Sequence, residues 1–396
     1  MDNDARLEGN IKKYYLFEAF NSLAFFFPVI VLFWQSKGLN MTQIFTLQSI
    51  YAIGALILEL PTGGFADYFG KKISLIFGSL FFSIGLFWYG LSSHFWQFAI
   101  GELTIAAGMA FISGADRAFI HQTLKSLGKD KDFNKTEGGV RALSQIFQAL
   151  GNIGGGFIGS VSLGLTLIAT GISTFIALIV GFSFSNTENE LPREEKTNYL
   201  RIIKESVQIV KSNSKVLWLT LYFATINSLV FAAYWFPQPY FQMLKVPIVY
   251  FGFIFASFSL FSAYCSKFLT YKIDLWLKDK AFVVIGLLAI FSMFILGAFP
   301  SIFVIPLFSI FSMIVVVNQT LISGKTLTLI PPERAATILS FQSLVRRLIY
   351  ALFIPFLGMI SDRFGIRIAL QFNALILGLL LMILFAFKRF NQTKAG

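Results

Sequence analysis

Arg346 and Arg347 stand side by side in SFQSLVRRLIYALFIPFLG, residues 340 to 358, where every other side chain is apolar or a neutral polar group. An ionised group in hydrocarbon costs roughly 3 kcal/mol on insertion scales, so each one calls for a carboxylate, backbone carbonyls or a bound anion. Counted from Arg334 at about 1.5 Å per residue, the pair falls roughly 18–20 Å along a helix, near the middle of a hydrocarbon core of about 30 Å. Helical neighbours point about 100° apart, so only one arginine need face a cavity; Arg347 shares its face with Ser340, Ser343 and Tyr350. Two readings stand. Either Arg347, with Arg346 as alternate, meets a substrate or counter-acid, or the pair is structural and is satisfied by carbonyls or Glu18.

Other polar groups fall at helical spacing. Arg141, Gln145, Gln148 and Asn152 form one stripe at i, i+4, i+7 and i+11. With Gly159 and Gly358 aligned as equivalent helix ends, Gln148 coincides with Arg347. Glu18 is continued along its face by Asn21, Ser22 and Phe25, and Glu102 lies in a second apolar run. Glu18 reads either as a protonatable site opening on a central cavity or as an interfacial acid paired with Lys12, Lys13 or a tyrosine, and Glu102, nearer the outer face, is its rival. His94, His121 and the single Cys265 are too scattered for a metal site or a disulfide. No phosphate-binding glycine loop or nucleophile constellation is evident, so no cofactor and no covalent chemistry is expected.

Composition sets the solvent for these groups. Hydrophobic residues make up 56% of the 396 and charged ones 13%, against about 45–50% and about 25% in soluble domains. A mean hydropathy of +0.71 spreads that excess along the chain. Spans of about 20 apolar residues cross a bilayer, and on that rule twelve fit: 13–36, 42–64, 73–92, 95–124, 138–161, 162–184, 214–242, 246–271, 280–299, 301–324, 335–360 and 366–387. The apolar run after the polar start MDNDARLEGNIK is too long for a signal-peptide core and reads as span 1. The expected fold is an all-α polytopic membrane protein.

The net charge of +12 follows topology rather than a nucleic-acid surface. Alternating the spans puts 24 of the 32 basic residues on the side of the termini and only Lys37, Lys245, Arg363 and Arg367 on the other, with four inside spans. Both termini are then expected in the cytoplasm, beside anionic lipid. A polar linker, 185–213, separates an N-terminal six-helix bundle, 1–184, from a C-terminal one, 214–396. FNSLAF at 20–25 recurs as INSLVF at 226–231, matching Asn21 with Asn227, and FISG at 111–114 recurs as LISG at 321–324. Each repeat pairs a span with the one six later, as in transporters built from two parallel six-helix halves.

Between spans 2 and 3 the chain reads GGFADYFGKK, residues 63 to 72. This resembles the loop signature of the major facilitator superfamily, G-x-L-a-D-r-x-G-r-k: Gly63, Asp67, Gly70, Lys71 and Lys72 match, while Phe65 and Tyr68 depart from it. Glycines permit a sharp turn and close approach, and the acid can dock on a helix N-terminus or a basic side chain. With Asp116, Arg117, Arg141 and Glu59, this stretch reads as a cytoplasmic gate. In span 5, GNIGGGFIGS is similar to the G-x-x-x-G-P-x-x-G-G motif of drug and proton antiporters: Gly151, Gly155 and Gly159 fit, whereas Gly156 replaces proline and Ser160 the last glycine. Such glycines also serve plain helix packing. That subfamily's expected span-4 arginine is missing, and Glu102 lies near its place.

The resemblance implies a monomeric twelve-helix secondary transporter in a bacterial cytoplasmic membrane, moving a small organic solute by alternating access in a proton-coupled efflux. Uptake of an organic anion is the alternative that the arginines favour. A membrane enzyme or sensor is a lesser one, because the outer loops are short and chemically poor. In this reading Arg347, Arg346, Asn21, Asn227, Gln148, Asn152 and Tyr350 line the substrate cavity, and Glu18 or Glu102 couples protons.

Overall fold

The structure is a computed structural model that describes residues 2–187 and 207–393; most of the linker, residues 188–206, lies outside the described residues. All regular elements among the described residues are helical. Nine stretches of these residues are long and apolar enough to cross a membrane. The difference from twelve has local causes. Span 1 is broken into Asp2–Ser22 and Ile30–Ser36. The span 5 helix, Phe133–Val161, carries the polar stripe that lowers its hydropathy. Spans 11 and 12 run together as Ala335–Thr393, interrupted only at Gly365, whose φ is +84°.

Contacts divide the chain into two compact units: Met1–Gly38, Ile50–Lys196 and Val246–Ser257 form one, and Leu39–Ser49, Thr197–Lys245 and Phe258–Gly396 the other. The span 2 helix, Met41–Phe69, therefore starts in unit 2 and continues in unit 1, while the span 8 helix, Ile248–Tyr264, does the reverse.

Unit 1 is built on glycine seams. Span 3, Lys71–Leu91, and span 4, Phe95–Ile112, meet where Gly78 and Gly108 face each other; a Cβ on Gly108 would lie 2.6 Å from the backbone nitrogen of Phe82. Without water, helices associate by such close van der Waals packing rather than by a hydrophobic drive. Large apolar side chains point outward instead: Leu91, Trp96, Phe157 and Phe182 are exposed, as lipid-facing residues are. Tyr14, Phe17, Phe119, Ile120 and Phe184 fill one end of the unit. There Asn10 donates to the carbonyl of Ser185 and accepts from its N–H, pinning the chain after span 6 to the first helix.

Unit 2 begins with span 7, Ser214–Ala233, its N-terminus capped by Asn213, and continues through a turn into Pro237–Met243. Trp218, Tyr222, Phe282 and Phe385 stack with ring centroids 5.0 to 6.2 Å apart, joining spans 7, 9 and 12. Span 8 ends in five π-helical residues, Cys265–Leu269, before Thr270–Leu277. Arg367 donates from Nε to the carbonyl of Gly297 at 2.9 Å and from its terminal nitrogen to that of Ala298 at 3.0 Å, closing the end of span 9. A cation there complements the helix dipole.

Two local expectations are corrected. The stretch GGFADYFGKK is not a loop: the span 2 helix continues through Phe69, and the turn is Gly70 alone, at φ +92°. The helical rise carries Gly63 to Phe69 on as helix because only the one left-handed residue, where glycine has no Cβ penalty, breaks the pattern. The paired repeats also diverge. FISG ends its helix, with Gly114 at φ +84°, whereas LISG lies within the continuous helix Leu307–Leu327.

Candidate functional site

Span 1 is where the fold leaves its backbone least regular. The helix stops at Ser22, the next begins at Ile30, and Pro28 lies between. Free backbone groups inside a membrane need partners, and neighbouring helices provide them. Thr170 Oγ1 accepts from the N–H of Phe26 at 3.3 Å, and Ser173 donates to the carbonyl of Phe20 at 2.7 Å. The broken segment rests on the span 5 glycines. A Cβ on Gly151 would come within 2.8 Å of the Ala24 nitrogen, and one on Gly155 would collide with the Phe25 carbonyl oxygen. Gly156, in the place of the antiporter proline, faces elsewhere: its Cβ would lie 2.6 Å from the carbonyl of Val249 and 2.9 Å from the nitrogen of Gly252. The span 5 motif thus seats a broken helix on one face and the start of span 8 on the other.

Glu18 and Asn21 lie one turn apart just before the break. Glu18 Oε1 and Asn21 Oδ1 are both buried and accept no hydrogen bond among the described residues, while Asn21 Nδ2 donates back to the carbonyl of Phe17 at 3.2 Å. Buried acceptors are normally paired, so these two form a polar spot that requires a donor beyond the described side chains.

Asp116 and Arg117 open the helix Ala115–Ser126 after the Gly114 turn, and Asp116 Oδ1 accepts the N–H of Arg117 at 2.7 Å. Glu137, which the sequence reading did not single out, is the hub. Its Oε1 pairs with Arg117 Nε at 2.9 Å and accepts from Arg141 at 2.6 Å. Its only sequence signal is the i, i+4 spacing from Arg141. Asp67 is exposed and pairs with Lys71, four residues on; Gly63 is part of the helix that carries it, and Lys72 is half-buried beside Lys71.

Glu102 sits in a different setting. It is 5% exposed, and Tyr89 donates to its Oε1 at 2.7 Å. Trp34 and Phe98 pack on Tyr89. The polar stripe on span 5 divides as well: Arg141 is exposed in the Glu137 cluster, Gln148 is half-buried, and Asn152 is fully buried beside the glycine seam with Gly252.

In unit 2, Arg346 and Arg347 are both half-buried, and the Arg346 carbonyl accepts the hydroxyl of Ser228 at 2.8 Å. Tyr350, one turn on, accepts from Trp235 Nε1 at 2.8 Å and packs on Phe231. Asn227 accepts from Asn318 Nδ2 at 2.9 Å, tying span 7 to span 10, with both asparagines fully buried. Its repeat partner Asn21 stands at a helix break, while Asn227 stands within an unbroken helix. Sequence reasoning also missed Gln342, which donates to Thr220 and Thr326, and Asn373, which donates to the Leu229 carbonyl. Single amides scattered in apolar runs carry no periodic signal.

Comparison with known proteins places this architecture. In curated sequences, an uncharacterized MFS-type transporter, YxaM of Bacillus subtilis strain 168, is 26% identical over 262 residues, 61% of each chain. Multidrug resistance protein 2 of the same organism is 26% identical over 203 residues, 49% of this chain and 50% of that one. The alignments thus span about half to three fifths of the length of these relatives. Among solved structures, a bacterial homologue of the human lysosomal transporter Spinster superposes with a TM-score of 0.75 at 13% identity, covering 97% of each chain. The nucleoside transporter NupG gives 0.71 at 12%, covering 98% of this chain and 99% of that one. The sequence profile of the Major Facilitator Superfamily matches residues 15–352, and the chain belongs to that family.

Proposed function

We propose that this transporter exports a small organic solute in exchange for protons, by alternating access of its two units. The observation that carries the reading is the pair of buried, donor-less acceptors at Glu18 and Asn21, beside a helix break. A carboxyl there can take up and release a proton, and protonation supplies the missing donor. Glu102, already bonded to Tyr89, is in this reading a structural acid. Arg347, with Arg346 as alternate, meets an anionic or polar part of the solute. Gln148 and Tyr350 are each solute-contacting candidates of their own unit, while Asn152 and Asn227 hold helices together. The Glu137, Arg117 and Arg141 cluster, with Asp116 and the Asp67–Lys71 pair, forms the gate on the cytoplasmic side. The membrane is the bacterial cytoplasmic one, with both termini inside, and the working unit is a monomer.

Efflux is favoured over uptake by the multidrug resistance relatives and the partial antiporter motif in span 5. Proton-driven uptake of an organic anion is the second reading, and the half-buried arginine pair favours it. Purified protein in liposomes, screened with cationic drugs and organic anions under an imposed pH gradient, separates the two. Efflux predicts solute movement against the proton flow; co-movement of solute and protons overturns it.

A further inference from the structure

The span 2 helix has two sets of partners for its free N-terminal N–H groups. Its own flank supplies one: Asn40 Oδ1 accepts the N–H of Gln43 at 2.8 Å, and Gln43 Oε1 accepts that of Asn40 at 3.1 Å, a reciprocal cap. The other comes from some 320 residues away. Asp362 accepts the N–H of Met41 on Oδ1 at 2.9 Å, and the N–H and hydroxyl of Thr42 on Oδ2 at 2.8 and 2.5 Å. A carboxylate at this end also complements the helix dipole.

The backbone is shaped for the contact. One turn before Asp362, Gly358 lies so near that a Cβ would sit 2.8 Å from the Met41 carbonyl and from the Thr42 Cα. Two turns along the helix, Ser49 donates to the Ala351 carbonyl at 2.7 Å. The residues bound in this way, Leu39–Ser49, group with unit 2, whereas the rest of the same helix from Ile50 groups with unit 1. The start of the helix is thus held within unit 2.

The stretch that carries Asp362 repeats the one that carries Asp67. GGFADYFGKK at 63–72 and GMISDRFGIR at 358–367 share glycine, then aspartate four on, then phenylalanine and glycine, then a final basic residue. The second glycine has positive φ in both, +92° at Gly70 and +84° at Gly365. The aspartates differ in use: Asp67 pairs with Lys71, while Asp362 docks on a helix end.

We propose that Asp362, seated by Gly358, is a releasable latch that holds the start of span 2 on span 11, and that its release is a step in opening the transporter on the face bearing Lys37. The inference rests on the alternating-access reading, but its test needs neither substrate nor gradient. Ser49, buried at the contact, is replaced by Cys in a Cys265→Ser background. The purified protein is treated with a water-soluble maleimide, and an exposed Asn186→Cys serves as control. Asp362→Asn, which keeps the shape and removes the charge, is expected to raise the Ser49→Cys labelling rate at least about fivefold, the low end of ordinary coupling between states. The Asn186→Cys rate is expected to hold. Thr42→Val, which deletes only the hydroxyl donor, is expected to give a smaller rise and carries the test if Asp362→Asn does not fold. Unchanged Ser49→Cys labelling in the folded variants, whatever their melting temperature, reduces Asp362 to a fixed cap and overturns the latch. Lost transport with the labelling rise intact tells against the efflux reading alone.

Discussion

Glu18 and Glu102 are both acids in spanning helices, and the sequence offered them as equal candidates for carrying a proton. Their surroundings separate them. Glu102 has a phenolic donor in Tyr89 at 2.7 Å and an aromatic wall around it, whereas Glu18 Oε1 accepts no hydrogen bond among the described residues. Removing the donor from a buried acceptor typically costs about 1–3 kcal/mol. Tyr89→Phe is therefore expected to lower the melting temperature while leaving the pH dependence of transport in place. Thermal unfolding and a transport pH profile of the same preparation check this, and a shifted profile with unchanged stability would move the proton site to Glu102. Which acid has a partner was not legible in the sequence, because Tyr89 and Glu102 stand on different spans and meet only in the fold. Glu137 was missed for the same reason: only one of its two arginines lies at helical spacing from it.

At the scale of elements, the spans themselves were readable from hydropathy, but the breaks within them were not. FNSLAF and INSLVF are nearly the same sequence, yet the first ends a helix and the second continues one. The difference lies in what packs against them. Gly151 and Gly155 leave room for the irregular backbone of residues 23–29, and Thr170 and Ser173 satisfy its polar groups. Gly155→Ala places a methyl group against the Phe25 carbonyl, so it is expected to cost about 1–3 kcal/mol or more by overpacking. Gly138→Ala, in the same helix with no atom near its Cβ position, is expected to be neutral or stabilising by about 0.4–1 kcal/mol. Melting temperatures of the two variants test the seating directly. Helix ends carry charge logic too. Lys325 donates to Asp279 at 3.1 Å and Lys388 lies 3.4 Å away, and these lysines hold the Asp279 carboxyl below its ordinary pKa. A depressed acid stabilises the fold above its unfolded-state pKa, and that contribution fades as pH falls through the folded value. The acid limb of melting temperature against pH should therefore flatten in Asp279→Asn. Solvent screens a pair this exposed, so the change in melting temperature is expected to be modest.

For the whole molecule, composition and the distribution of basic residues already implied a polytopic membrane protein, and the helical fold and family profile agree with that class. The sequence did not reveal that the helices of spans 2 and 8 each change units partway along, since nothing in their apolar runs marks the crossing. The proposed orientation rests on 24 basic residues on one side of the expected spans and four on the other. Single cysteines at Asn186 and Ser36, in a Cys265-free background, should be labelled by an impermeant reagent in intact cells at Ser36 only; labelling at Asn186 reverses the topology. The central claim is that a proton taken up at Glu18 drives the solute. It is tested most directly by Glu18→Gln in proteoliposomes, comparing solute exchange at equal pH with solute accumulation driven by a pH gradient. The account predicts that exchange persists while gradient-driven accumulation is lost. Accumulation at the wild-type level in Glu18→Gln would contradict it.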